Sequence, residues 1–328
     1  MGEYQLILTA RDGTAYDATQ RVSSLSWSGS IRQTARQAEA VLATPTDGSL
    51  RQLPTENGTG VQLLLGGAPV FTGVAVTRSR STQGQTTDLS ALDRGFYLAG
   101  NEGWYSYADA APEQAVAALC ADFGIPVGAL AATGVRVARK FPGVALDKIA
   151  ATLYTLAGEQ NGRRYLLRFN GAGALEAVEK PRSAALEIAP RKNLQSLQVT
   201  EDISGLCNGV AIYTDTGQLV RTVEDGESIA AFGRLQRILQ QRSGQDAGAE
   251  ARAILEDSGQ QQTMTVQCLG NPALITGNAV ILRDNVTGAS GLCWIDSDTH
   301  TFKNGLYFCK LGLNFRNLMN ETSAGQAD

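Results

Sequence analysis

Strict period-two alternation of apolar residues, cut at intervals by turn dipeptides, leaves this sequence little freedom of fold. Tyr307, Cys309, Leu311, Leu313 and Phe315 share one parity, while Lys310, Gly312 and Asn314 hold most of the other. That is the pattern of a strand with one buried face. Tyr4, Leu6 and Leu8 alternate in the same way, as do Tyr165, Leu167 and Phe169, and Val210 and Ile212. Asp12-Gly13, Asn170-Gly171, Thr216-Gly217 and Asn304-Gly305 fall where hairpins need residues that tolerate positive φ. Both ends of the chain therefore read as antiparallel β.

The middle changes period. After Pro112, apolar residues recur at Val116, Leu119, Cys120 and Phe123, and Gly124 follows as a stop, which predicts an amphipathic helix. A second helix is expected from about Ala145, with Leu146, Ile149, Leu153 and Leu156 on one stripe and Gly158 closing it. A hairpin follows over 164–178. A third helix, over 246–257, places Ala247, Ala251, Ile254 and Leu255 on one side. The expected organisation is α+β but mainly β. It comprises a first β domain over 1–100, a mixed helix-plus-hairpin segment over 101–192, a second β domain with one helix over 193–318, and a frayed polar tail over 319–328.

The two β regions resemble each other. Thr59 to Leu65, then Phe71 to Val74, then an alternating run to Leu92 find counterparts in Thr276 to Leu282, Ser290 to Leu292 and the run containing Leu311. Gly60 and Gly277, Gly73 and Gly291, and Leu92 and Leu311 lie 217, 218 and 219 residues apart. A duplicated β unit is the simplest account of so constant an offset.

Charge and composition narrow the function. With 28 Lys+Arg against 32 Asp+Glu, the chain has no basic footprint for phosphate backbones, so specific nucleic-acid binding is not expected. No window approaches the run of about 18 apolar residues that a membrane helix needs, and the first residues lack the pattern of a secretory signal. Five cysteines without a C-x-x-C pair argue against a zinc ribbon and against a disulfide framework.

Sites of chemistry are scarce. The single histidine, His300, excludes a multi-histidine zinc site. It would also have to serve alone in any Ser-His-Asp or Cys-His hydrolase, and no Gly-x-Ser-x-Gly elbow is present. Asp296, Asp298 and His300 alternate and would project from one strand face. This is possible metal-ligand geometry, but an exposed polar strand face gives the same pattern more often. Gly171 to Glu176 has the look of a dinucleotide loop, yet Glu176 replaces the third glycine, and a hairpin turn explains the stretch. Paired carboxylates such as Glu201-Asp202 and Glu256-Asp257 fall at turns or helix ends, where solvated charge is the default. The expectation is no catalytic residue, no metal ligand and no cofactor.

Leu25-Ser26-Trp27-Ser28-Gly29-Ser30, followed by Gln33 and Ala35-Arg36, resembles the start of phage tail hub proteins of the XkdQ type, within the late control D-like hub family. There a W-S-G turn precedes an A-R and a β strand. Ala247 to Leu255, Val266, Gly270-Asn271-Pro272-Ala273-Leu274, Gly277, Val280, Gly291, Ile295, His300 and Gly305-Leu306-Tyr307 are similar to the C-terminal half of the same family in order and spacing. The resemblance implies two tube-like antiparallel β-barrel domains per chain and a homotrimeric ring at the baseplate or tail tip of a virion. Such a ring has the tail tube protein on one side and the central spike protein on the other, with tape-measure and other baseplate proteins as further neighbours. It also implies that His300 lies in a structural strand, and that Arg36 and the Trp27–Gly29 turn pack the first barrel. A ring adapting a sixfold tube to a threefold spike needs two tube-like domains in each of three chains.

Two other readings remain open from the residues. A tail-associated cell-wall hydrolase would need an acid-base pair in a cleft or a Cys/His constellation, and no such grouping stands out. A carbohydrate- or receptor-binding module would draw on Trp27, Trp104, Tyr105, Tyr107 and Trp294, although Trp27 and Trp294 lie in strand-like runs suited to a core.

Overall fold

The computed structural model describes residues 4–45, 51–81, 85–241 and 246–327. The N-terminal alternation folds as β1 (Tyr4–Thr9), β2 (Ala15–Asp17), β3 (Val22–Ser30), β4 (Gln33–Ala43), β5 (Gly60–Leu65), β6 (Ala68–Ser81) and β7 (Thr86–Asp93). The middle supplies α1 (Gly95–Gly100), β8 (Glu102–Ala110), α2 (Pro112–Asp122), β9 (Val127–Leu130), β10 (Val137–Ala145), α3 (Leu146–Asn161), β11 (Tyr165–Phe169) and β12 (Leu175–Glu179). Then come β13 (Leu186–Ile188), β14 (Leu194–Asp202), β15 (Gly209–Tyr213), β16 (Leu219–Glu224), α4 (Gly226–Phe232), β17 (Gln236–Gln240) and α5 (Gly248–Asp257). The chain closes with β18 (Gln261–Leu269), β19 (Ala279–Arg283), β20 (Ser290–Lys303) and β21 (Leu306–Asn314). The protein is mainly β.

The duplication inferred from the sequence is visible in the strand order. One large sheet runs β14-β18-β21-β20-β3-β4-β7-β6-β5-β1-β2, with β19 also on β20 and β13 on β19. From β3 the first half therefore reads β3-β4-β7-β6-β5-β1, and from β14 the second reads β14-β18-β21-β20-β19-β13. The two orders match strand for strand. One difference lies at the far end, where β1 runs antiparallel to β5 but β13 runs parallel to β19.

Neither half closes on itself among the described residues. The two expected barrels are instead one open sheet, because β20 spends its second edge on β3. Ser297 pairs with Ser30 and Phe302 with Leu25 across that seam. The core of the first half is built from inward-facing Leu6, Leu8, Leu25, Trp27, Leu42, Leu63, Phe71 and Leu89, joined by Phe302 from β20.

The mixed segment has its own core of Leu119, Cys120, Phe141, Leu153, Tyr154 and Phe169. α3 continues past Gly158, the expected stop, to Asn161, and Gly162 takes the left-handed cap at φ 69°. Gly158 is present for closeness, since a Cβ there would lie 2.8 Å from the Arg163 carbonyl oxygen. The tail expected to fray makes backbone hydrogen bonds to α3. Thr322 N–H donates to Thr155 Oγ1 at 3.1 Å and Ala324 N–H to Thr152 Oγ1 at 3.0 Å. Both threonines are buried on α3, where Thr155 Oγ1 itself donates to the Ala151 carbonyl oxygen at 2.9 Å, so the tail adds a donor to each hydroxyl. Residues Gln198–Met264 form a separate compact unit. In it β15 pairs with β16 and β17, and Cys207, Val210, Ile212, Ala247 and Ala251 make the core.

Gly73 tests the packing of the first half. A Cβ at this position in β6 would sit 2.1 Å from the Leu92 carbonyl oxygen on β7. Gly73→Ala is expected to lower stability by about 1–3 kcal/mol through overpacking. Gly100→Ala at the end of α1, where nothing lies within 4 Å, should be near neutral. Urea unfolding of the two variants checks the contrast.

Candidate functional site

A dense polar grouping lies at the seam between β3 and β20. Alternation turns Asp298 and His300 to the same inner face of β20, with Asp298 opposite Gly29 and His300 opposite Trp27. On its other edge, β20 pairs His300 with Cys309 of β21. The Asn304-Gly305 turn sets that register. Both of its residues have positive φ, 52° and 71°, as a two-residue hairpin loop requires.

Arg36 crosses the seam from β4. Its Nη1 donates to Asp298 Oδ1 at 3.0 Å and its Nη2 to Oδ2, a bidentate pair. The guanidinium carbon stands 4.5 Å over the Trp27 ring. Gly29 clears the path, because a Cβ there would meet Arg36 Nη1 at 2.3 Å. The Trp27–Gly29 stretch, expected as a turn, is thus the interior of β3, and its glycine makes room for a cation. Asp298 Oδ1 also accepts from the Thr276 N–H and Oγ1, each at 2.6 Å. His300 Nε2 lies 3.1 Å from the Leu274 carbonyl oxygen and 3.3 Å from Asp298 Oδ2. Its Nδ1 lies 2.7 Å from the Tyr307 hydroxyl and 3.2 Å from Cys309 Sγ. Behind Arg36, Asp93 accepts the backbone N–H of Arg36 at 2.9 Å and of Gly95 at 2.8 Å.

These contacts set the protonation states. Burial pushes the Asp298 carboxyl up, but the charge of Arg36, with hydrogen bonds from His300 and Arg36, outweighs it and holds the pKa well below the carboxylate range. Burial pushes His300 down, yet hydrogen bonds to Asp298 and Cys309 and their charge leave it raised overall. Asp93 is pushed up to about 7 by burial, against the two backbone N–H groups and Arg36.

His300, Asp298 and Cys309 thus meet in the relation of a base, its orienting carboxylate and a thiol. All three are buried, at 0%, 2% and 1% exposure, so no substrate reaches the sulfur without opening the sheet. The polar strand face expected to be exposed is an interior one, and its role here is to hold β3, β4, β20 and β21 in register. Asp296 is not part of the cluster. It faces Lys180 Nζ at 3.7 Å, and that buried ammonium donates to the Leu318 carbonyl oxygen at 2.5 Å.

Among the described residues no group of three His, Cys, Asp or Glu side chains is arranged to hold a metal ion. The aromatic residues do not form one platform. Trp27 is core, Trp294 is half-buried with its Nε1 donating to the Pro181 carbonyl oxygen at 2.7 Å, and Tyr105 and Tyr107 stack with centroids 6.0 Å apart. Trp104, one residue away on the opposite face of β8, is 79% exposed.

Comparison with known proteins adds a family and a fold. The family described as YQBQ-like matches residues 25–314. The Phage-like element PBSX protein XkdQ of Bacillus subtilis (strain 168) is 24% identical over 319 residues, covering 91% of this chain and 94% of that protein. A 43 kDa tail protein of prophage MuSo2 from Shewanella oneidensis has a similar structure, with a TM-score of 0.71 at 14% identity over 95% of this chain and 97% of that one. The E. coli c3393 protein, a component of the type VI secretion system described as similar to the T4 tail proteins gp27 and gp5, aligns with a TM-score of 0.54. Its identity is 12%, with 94% of this chain and 76% of that chain covered.

Two outcomes check the seam. Arg36→Met leaves a buried carboxylate uncompensated and should cost about 3–5 kcal/mol in urea unfolding, of which adding Asp298→Leu should restore a part. The second is a pH profile. Because the His300 pKa is raised in the fold, the stability it contributes is full below its unfolded value of about 6.5 and is lost as pH rises through the folded one. Asp93, raised to about 7, acts in the same direction. Cys309, whose thiol is held down to about 5 by its bonds to Cys268 and His300, acts in the opposite direction, so Cys309→Ala should make the melting temperature fall more steeply as pH rises above about 6.5, and His300→Gln should flatten part of that slope. An unchanged slope in the variant would remove His300 from the account.

Proposed function

This chain belongs to the YQBQ-like family of phage tail proteins, and from that premise we propose that it is a structural hub of a tail baseplate or tail tip. Three copies form a ring that joins the sixfold tail tube to the threefold central spike. Its neighbours are the tube protein, the spike protein and other baseplate components, and it has no catalytic residue, metal or cofactor of its own. The segments 1–100 and 193–318 act as the two tube-like domains, the second taking in β13 and leaving out the compact unit 198–264, with the rest of 101–192 inserted between them.

One observation carries this reading. The β3–β20 seam joins the second half of the chain to the first through the C-terminal part of β20. By the offset of about 218 residues, the matching part of the first half is 79–84, which begins in the end of β6 and runs into 82–84, outside the described residues. β5 pairs with β6 only from Ala68 to Val74, and no strand covers that side of Thr77–Arg80 among the described residues. The counterpart of β3 in the second half is β14, which stands at the end of the sheet. The chain thus has one seam made and the two halves of a second seam unmade. Copies that repeat the internal seam head to tail pair β6 of one with β14 of the next, and such heterologous contacts close into a ring or run on as a filament. Closure by three gives six similar units, as a sixfold tube needs. The barrel then belongs to the ring and not to either domain, and two unpaired edges are covered.

Electron microscopy of native tails should show one ring of three copies at the tip, and hydrogen exchange should show Thr77–Arg80 and β14 gaining protection on passing from free chain to tail. A ring of six copies, or no protection at both strands, would overturn the assembly. Incubated with purified cell walls, the isolated protein should release no soluble muropeptides. Turnover abolished by replacing one carboxylate would instead favour the hydrolase reading.

A further inference from the structure

The seam made within the chain has a polarity. β20 supplies the acids, Asp296 and Asp298, and the bases come from other elements, with Lys180 Nζ 3.7 Å from Asp296 and Arg36 gripping Asp298. Counting back 218 residues puts Arg78 at the position of Asp296 and Arg80 at that of Asp298. Both signs are inverted. The match extends to the side of the sheet, because Arg78 pairs with Leu89 and Arg80 with Thr87 across β6 and β7, and both partners are buried. Residues directly opposite on neighbouring strands share a face, so the two arginines stand on the face that Asp298 occupies in the second half.

The receiving strand is inverted as well. β3 and β14 are each nine residues long, and aligning their ends sets Leu197 on Leu25 and Val199 on Trp27, apolar on apolar. Glu201 then takes the place of Gly29, the residue opposite Asp298 in the made seam. Gly29 lacks a side chain where Arg36 passes, since a Cβ would meet Arg36 Nη1 at 2.3 Å. β14 needs no such gap, because Glu201 brings the charge itself. Glu201 is exposed and accepts from Gln262 Nε2 at 3.4 Å. Arg80 is exposed too. Arg78 Nη1 stands 3.3 Å from Glu56 Oε1, a surface pair of the kind that contributes little.

We propose that Arg80 of one copy and Glu201 of the next form an ion pair across the second seam, with Arg78 beside it, and that the inverted polarity decides which strand each edge accepts. The inference rests on the ring reading above and names the contact by which copies recognise one another. The partner is a second copy of this chain, because its β14 is the edge that repeats β3 and carries the charge opposite to β6. Opposed charges on the two edges draw them together at encounter. The same charges exclude the wrong pairings. An edge bearing Arg78 and Arg80 would meet Arg36 if it were laid on β3 of another copy, and a β14 bearing Glu201 would meet Asp298 if it were laid on β20. Each edge is left with one matching strand.

The test supplies the full chain to tails assembling in cells that lack it. Arg80→Glu and Glu201→Arg should each lower the yield of complete tails about tenfold or more, because like charges then face each other at every seam between copies. The chain carrying both changes should recover most of that loss. Both residues are exposed, so the free variants should melt with the parent, which separates an assembly fault from a folding one. A reconstruction of wild-type tails by electron microscopy gives a readout independent of any variant, with the Arg80 guanidinium expected within about 4 Å of the Glu201 carboxylate of the neighbouring copy. Full yield from both single variants, no recovery in the double, or the two groups apart in a native ring of three would each overturn the ion pair and leave the ring standing. A native assembly of any other copy number would overturn the ring reading and the pair with it.

Discussion

The rest of this structure depends on a carboxylate in the middle of a sheet. Asp298 has 2% exposure and would be untenable there if ionised and alone, but Arg36 reaches it from two strands away with a bidentate grip. A hydrophobic seam would hold β3 and β20 together about as strongly, since a buried ion pair repays little more than its own desolvation. What a hydrophobic seam would lack is register. A slip of one residue would turn Asp298 to the opposite face, away from Arg36, Thr276 and His300, and leave a buried charge uncompensated. The ion pair therefore acts as a key that permits one alignment of the two halves of the chain.

That alignment propagates outward through β20. Its other edge holds β21 by the Asn304-Gly305 turn, and His300, two residues after the Asp298 that meets Arg36, faces Cys309 and Tyr307 on that side. Asp93, at the end of β7, holds the backbone of Arg36 and the start of α1 together. α1 thus begins at the point where the backbone of Arg36 is anchored. The His300 ring, 4.3 Å from the Trp27 ring by centroids, fills the space between the two strands with a group that can donate from both nitrogens.

Much of this was legible in the sequence, for identifiable reasons. Period-two alternation and turn dipeptides located the strands, because side chains on a strand must alternate faces. The offset of about 218 residues located the duplication. The neighbour of His300 was also within reach. A two-residue turn at Asn304-Gly305 pairs Lys303 with Leu306, and counting back brings His300 to Cys309, yet the alternating Asp-Ser-Asp-Thr-His run reads as an exposed face. Nothing local contradicts that reading. The partner that makes burial tolerable, Arg36, is 262 residues away, and long-range ion pairing leaves no periodic trace. For the same reason the tail read as frayed, since its anchors are two threonine hydroxyls on α3.

The open sheet differs from the expected pair of barrels because closure and duplication compete for the same edges. In an isolated barrel, each half would use its last strand to cover its first, and no edge would remain for another unit. Here β20 covers β3 of the other half, which leaves the end of β6 and the whole of β14 as edges of the chain. At the offset of 218 residues, the position of Asp298 in the made seam corresponds to Arg80 in the unmade one. An exposed arginine, with Arg78 two residues before it, keeps a bare edge soluble and discourages indiscriminate strand addition. The internal seam can carry a buried key because both sides are always present at high effective concentration. An edge without a partner in its own chain must instead remain hydrated, so in the proposed ring the second seam would pair equivalent strands with the opposite chemistry.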